Sequence, residues 1–261
     1  MEDRNITEEQ AEYFSLMADV DHTKHIGGIS ATNKLAELCD IQEGDVVLDV
    51  GCGVGISAVN LVEGYGCQLV GVDIMDRMIV RSQERAQREG VSSSTKFLVA
   101  DARQLPFREG VFDATISESV ISFIQDKRSA VDELIRVTKP GKRVGITEAI
   151  WFKKPKPEAA KYLSRTAGLP EGLLEHKEWE VLLQDSDLQD IVAQSHQITI
   201  LGEASNQFKR LGLANYLRIL GKALKMMFTS KYRSMVKDAL GQPGGDLYKH
   251  MGYGIYAGRK A

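Results

Sequence analysis

The chain has 261 residues, 43% of them hydrophobic, and a formal net charge of −3. That hydrophobic share builds a sizeable core, and the length fits one large domain or a core with a small cap. The acidic balance argues against a general nucleic-acid binder, no apolar run approaches a membrane span, and the acidic, polar start does not read as a signal peptide. Cys39, Cys52 and Cys67 have no metal-ligand spacing, so no metal site is expected, and an odd number of thiols suits a reduced, cytoplasmic protein.

In chain order, Thr7-Glu8-Glu9-Gln10 is a capping box and predicts a helix with Ala11, Phe14 and Met17 on one side. Residues 19–28 are polar and end in paired glycines, which reads as a loop. A short helix over 31–40 carries Leu35, Leu38 and Cys39 inward, and Gln42-Glu43-Gly44-Asp45 is the turn before the first strand. Val46 to Val50 is a mostly β-branched run, as in a parallel strand covered on both faces. It runs into Gly51-Cys52-Gly53-Val54-Gly55, where glycine permits a tight turn and close approach of a ligand. Ile56, Val59 and Val62 then share a helical face, so a helix starts at the loop with its free N–H groups toward the ligand space.

Leu69-Val70-Gly71-Val72-Asp73 is a second strand ending in an acid about 20 residues on, where a ribose-binding carboxylate is expected. A charged helix over 76–89 is stopped by Gly90. Phe97-Leu98-Val99-Ala100-Asp101 is a third strand, also ending in an acid. All three strand ends are expected at the same, ligand-binding edge of a parallel sheet. Phe112 to Ser117 is a fourth strand, Asp126 caps the next helix, 138–142 is a turn, and 143–147 a fifth strand, with Glu148 and Trp151 just past its end. A helix around Glu178 to Leu183 precedes a sixth strand from Asp190, and 253–258 is the last strand. The roughly 50 residues between those two strands are too many for a structureless loop. Within them, 205–237 holds eight basic residues and no acid, with apolar residues at helical spacing. Such a segment can lie on an anionic membrane, close over a substrate, or bury its stripe against the core or a second copy in a homodimer.

The order of Leu48-Asp49-Val50-Gly51-Cys52-Gly53-Val54-Gly55, Gly71-Val72-Asp73, Asp101-Ala102-Arg103-Gln104-Leu105-Pro106-Phe107, Phe112-Asp113 and Leu134-Ile135-Arg136-Val137-Thr138-Lys139-Pro140-Gly141-Lys142 resembles the class I S-adenosylmethionine (SAM) dependent methyltransferases, in their small-molecule, type 11/25-like group. The resemblance spans roughly residues 30–150 and, more weakly, the C-terminus. It implies SAM as cofactor, with Asp49, Gly51, Cys52, Gly53 and Gly55 around it. By the same resemblance Asp73 accepts from the ribose diol, Ile74 offers the adenine an apolar face beside Met75, and Asp101 and the Ala102 N–H read the adenine edge. Ser117 and Glu118 would face the methyl group, and an N-terminal segment would fold over the cofactor, with Tyr13, His22 and His25 toward the acceptor.

Plainer roles stand beside these. Asp73 or Asp76 can cap a helix, Asp101 can be a turn acid, and Glu118 can be a solvated loop acid rather than a base or cation binder. Residues 22 and 25 can sit in a surface turn, and Glu148 and Trp151 can pack at a rim. No catalytic residue is fixed, the candidates being His25, Glu118, Tyr13 and His22. No proline lies between Pro106 and Pro140, so the proline motif of nucleic-acid base methylation is absent.

The expected fold is α/β: a doubly wound, mostly parallel seven-stranded sheet of the Rossmann-like methyltransferase type, with helical lid insertions. The expected parts are an N-terminal lid over 1–30, a SAM-binding core over 31–150, an insertion over 151–177, core again over 178–200, a basic helical insertion over 201–250 and the last strand over 251–261. The expected function is methyl transfer to a small-molecule acceptor by in-line displacement. The alternatives are a lipid or isoprenoid-quinone-like acceptor at a membrane surface, and a non-catalytic SAM-binding regulatory or assembly protein.

Overall fold

The computed structural model describes residues 6, 7, 10, 11, 14, 15, 18, 26–167, 169, 172–198 and 249–261. Tyr13, His22, His25 and the basic stretch 205–237 lie outside them. The expected capping box is present: the Gln10 backbone N–H donates to Thr7 Oγ1 (3.2 Å) and the Thr7 N–H to Gln10 Oε1 (3.0 Å).

Helix α1 (Gly28–Leu38) opens at Gly27, in the left-handed region at φ 84. The second glycine of the pair is thus the first helical residue, not the end of a loop. Gly27 is required there twice over: a Cβ would also lie 2.8 Å from the Tyr253 ring. Strand β1 (Val46–Val50), helix α2 (Ile56–Tyr65), strand β2 (Gln68–Asp73), helix α3 (Asp76–Arg88) and strand β3 (Thr95–Val99) follow as alternating units. Strand β4 (Phe112–Glu118), helix α4 (Lys127–Val137) and strand β5 (Thr138–Trp151) continue the pattern. Asp126 caps α4, accepting from the Ser129 N–H at 3.1 Å. Helices α5 (Pro157–Ala167) and α6 (His176–Gln184) precede β6 (Leu188–Gln197) and β7 (Met251–Lys260).

The sheet has seven strands in the order β3-β2-β1-β4-β5-β7-β6. The first five pair in parallel, and β7 lies antiparallel between β5 and β6. Strand β5 runs beyond the expected 143–147 because β7 pairs with it from Arg143 to Trp151. Glu148 and Trp151 therefore lie inside the strand and are buried, not packed at a rim.

Alternation along the strands sends side chains to two cores. Leu48, Val50, Ile146, Ile150 and Tyr256 meet α4 and α6 on one face. Val47, Leu69, Ala114, Ile116 and Ile255 meet α1 and α2 on the other. Asp113 closes the non-ligand end of β4, accepting from the Val46 N–H (3.1 Å) and from Lys139 Nζ (2.9 Å to each oxygen). No helix among the described residues is long and apolar enough to cross a membrane.

The α1 contact is close enough to test. A Cβ at Gly145 would lie 2.5 Å from Cys39 Sγ and 2.8 Å from Leu35 Cδ1. Both neighbours are buried, so Gly145→Ala should cost about 1–3 kcal/mol by overpacking, read as a lower midpoint in thermal unfolding.

Candidate active site

The parallel strands deliver their ends to one edge, and a cavity of about 400 Å³ opens there. The glycine loop forms its floor. Gly51, Gly53 and Gly55 take φ of 80, 53 and 77, which side chains rarely adopt. At Gly51 the space is also filled: a Cβ would lie 2.1 Å from Val120 Cγ2. The N–H groups of Gly51 and Cys52 both donate to the Val72 carbonyl (2.7 and 2.9 Å), so the loop leans on β2.

Asp73 ends β2 and ties loop to strand. Its Oδ2 accepts from the Gly53 N–H (3.0 Å) and its Oδ1 from the Met75 N–H (2.9 Å). Both bonds favour the carboxylate, but burial outweighs them and pushes the group up to about 6. The helix-cap reading of Asp76 is not met, because Met75 is the N-cap residue and Asp76 lies in the first turn.

Asp49 and Glu118 sit on the α1 face of adjacent strands, and both line the cavity. Thr32 Oγ1 donates to Glu118, 3.1 and 3.3 Å from its two oxygens. Glu118 is 8% exposed, which corrects the solvated-acid reading. Asp49 is 2% exposed, and its Oδ2 has no hydrogen-bond partner among the described residues. Burial, then the neighbouring Glu118 and Asp73 carboxylates, hold the Asp49 carboxyl well above the usual range. A wall with three carboxylates and an orphaned oxygen suits a cationic group in the cavity.

Asp101 also lines the cavity, but its carboxylate is engaged. It accepts from the Arg103 N–H (2.9 Å) and Nε (3.0 Å) at Oδ1 and from Nη2 at Oδ2. Arg103 holds the Asp101 carboxyl below its ordinary value. Asp101 is therefore a turn acid and a cavity residue at once, with acceptor capacity left on Oδ2.

Of the other residues expected around a cofactor, Cys52, Ile74 and Ala102 line the cavity, whereas Gly55, Met75 and Ser117 do not. Ser117 is fully buried behind the wall and its Oγ has no partner among the described residues. Cys52 is a packing residue. Burial, then Asp49 and Asp73, push its thiol up, away from the reactive thiolate.

Several cavity residues were not legible as such. Gln10 and Phe14 form part of its wall, and so does the turn 119–123 after β4. Gln10 Nε2 donates to the Phe123 carbonyl (2.9 Å), and the Phe14 and Phe123 rings meet edge to face at 5.1 Å. Glu148 reaches this turn from β5, accepting from the N–H groups of Val120 (2.8 Å) and Ile121 (2.6 Å) and from Ser122 Oγ (2.7 Å). Burial pushes its carboxyl up to about 7 against those bonds. The signal for Glu148 was its parity: it alternates with Ile146 and Ile150 and must share their buried face.

Three comparisons bear on this site. Residues 48–146 match the model of a family described as "Methyltransferase domain". "Phosphoethanolamine N-methyltransferase 3" of Arabidopsis thaliana is 30% identical over 169 residues, 64% of this chain and 34% of its own length. The chain thus spans about a third of the plant relatives it matches. Among solved structures, a SAM-dependent methyltransferase from Geobacter sulfurreducens in complex with S-adenosylhomocysteine superposes with TM-score 0.70, 17% identity, 95% of this chain and 98% of the other. A phosphoethanolamine N-methyltransferase from Haemonchus contortus, in complex with phosphomonomethylethanolamine and S-adenosylhomocysteine, superposes with TM-score 0.70, 21% identity, 96% of this chain and 57% of the other. At these identities the structures show a shared fold.

A pH dependence follows from Asp73. Its folded carboxyl is raised from 3.8 to about 6. The folded state therefore holds the proton more tightly, and this group's contribution is full below pH 4 and lost as pH rises through 6. Thermal unfolding of the ligand-free chain should lose part of that slope in Asp73→Asn.

Proposed function

We propose that this chain, whose residues 48–146 match the model described as "Methyltransferase domain", is a class I SAM-dependent methyltransferase that transfers a methyl group to a small-molecule acceptor. The observation that carries the reading is convergence. Residues 51–53 of the glycine loop, Asp73 and Asp101 lie at the ends of three separate strands, yet share one cavity with the dimensions of a cofactor pocket.

The residues fit that cofactor. The Asp73 carboxylate has lone pairs beyond its two backbone donors and suits a ribose diol. Ile74, Met78 and Ala102 supply apolar contact for an adenine. The orphaned Asp49 oxygen and the nearby Glu118 suit the positive charge of an ammonium and a sulfonium. At Gly51 the missing side chain makes room for Val120 against the loop.

When bound, SAM supplies a methyl group on a positively charged sulfur, open to in-line displacement by a nucleophilic atom of the acceptor. The chain's own contribution is alignment and exclusion of water. Phe14, Val120, Phe123 and Ile124 give the cavity an apolar side. Glu118, desolvated and held by Thr32, can attract a cationic acceptor or hold a proton the acceptor releases. The names of the plant relatives support a nitrogen acceptor.

Titration calorimetry of the full chain with S-adenosylhomocysteine tests the reading. Asp73→Ala should weaken binding by about 1–3 kcal/mol, the range for losing hydrogen bonds to a charged group. Wild-type affinity in that variant would remove the ribose assignment. Incubation with methyl-labelled SAM and a panel of small amines should yield a labelled product. Tight binding without any product would favour a non-catalytic SAM-binding protein instead.

A further inference from the structure

The turn 119–123 is short, yet four of its polar groups are fastened to β5. The Ser119 N–H donates to the Thr147 carbonyl of β5 at 2.7 Å. The next two N–H groups and the Ser122 hydroxyl all go to Glu148, whose two oxygens take the three bonds within 2.8 Å. Ser119 itself holds φ 59, a conformation a serine keeps only where its surroundings enforce it. A neighbouring Ser, Thr or Asp could cap such a turn locally. Here a carboxylate with 0% exposure does so from the next strand, and burying a charge costs several kcal/mol unless it is well bonded.

What the turn touches gives that expense a purpose. Val120 packs on Gly51, closely enough to forbid a Cβ there. Phe123 receives the Gln10 side chain on its carbonyl and the Phe14 ring on its face. All five residues line the cavity. Each contact depends on where the turn stands, and Glu148 takes three of the four bonds that fasten it. Glu148 does not itself line the cavity.

We infer that Glu148 is a positioning residue: through turn 119–123 it sets both the height of Val120 over the glycine loop and the seat of Gln10 and Phe14, and so shapes the ligand cavity. The inference rests on the SAM-binding reading for its ligand, but not for its first readout.

That readout is amide hydrogen exchange on the full chain. In Glu148→Ala the Val120 and Ile121 amides should exchange at least about tenfold faster, while the amides of β1 and β2 keep their protection. S-adenosylhomocysteine affinity should fall about tenfold with the Gly51 loop chemically untouched. Glu148→Gln should restore both, because its amide oxygen can accept the same two N–H groups and Ser122 can turn to accept from its NH₂. Unchanged exchange at both amides in Glu148→Ala overturns the clamp. Faster exchange with wild-type affinity overturns its role in shaping the cavity.

Should Glu148→Ala fail to fold, Ser122→Ala removes one of the three bonds and carries the test, with unchanged exchange and affinity again overturning the inference. Failure of the wild-type chain to bind S-adenosylhomocysteine would overturn the methyltransferase reading instead, and exchange alone would then decide the clamp.

Discussion

The bond from the Gly53 N–H to the Asp73 carboxylate is the constraint on which the site depends. It joins the loop after β1 to the tip of β2, and it does so across the space where a ligand would enter. The partner bond from Met75 fixes the carboxylate's other oxygen, so Asp73 cannot swing away. The carboxylate still has lone pairs to offer, which is what separates a binding group from a purely structural cap.

The same edge concentrates negative charge that the protein does not neutralise from within. Asp101 at that edge has a basic partner in Arg103, as do Glu133 on α4 in Arg136 and Asp113 at the opposite end of the sheet in Lys139. Asp49 lies deeper and has an oxygen with no hydrogen-bond partner among the described residues. Burial without pairing raises a carboxyl's pKa and disfavours its charge. A cationic ligand would reverse that balance, so the cost carried by the folded chain is one that binding can offset.

The cavity is built from parts that answer to different forces. Its floor is set by glycine φ angles and by the close seat of Val120. Its upper side is assembled from the turn after β4 and from Gln10 and Phe14, more than a hundred residues away in sequence. Among the contacts that join them are the bond from Gln10 to the Phe123 carbonyl and the edge-to-face meeting of the Phe14 and Phe123 rings. Such contacts are modest, and they rest on the turn beneath, which Glu148 holds from β5.

What the sequence by itself determined is local. The Val46 to Val50 run, the three glycines, the acids at two strand ends, the capping box at Thr7 and the cap at Asp126 each depend on residues a few positions apart. Their physics is complete within a strand or a turn, so each stands where its spacing put it. What only tertiary structure decided depends on pairing at a distance. The placement of β7 between β5 and β6 lengthened β5 to Trp151 and drew Glu148 from an expected rim into the core. The bond from Val120 to Glu148 spans 28 residues, and that from Gln10 to Phe123 spans 113. Spacing along a chain carries side-chain periodicity, but it carries neither the register of a partner strand nor the direction from which a buried carboxylate finds its donors.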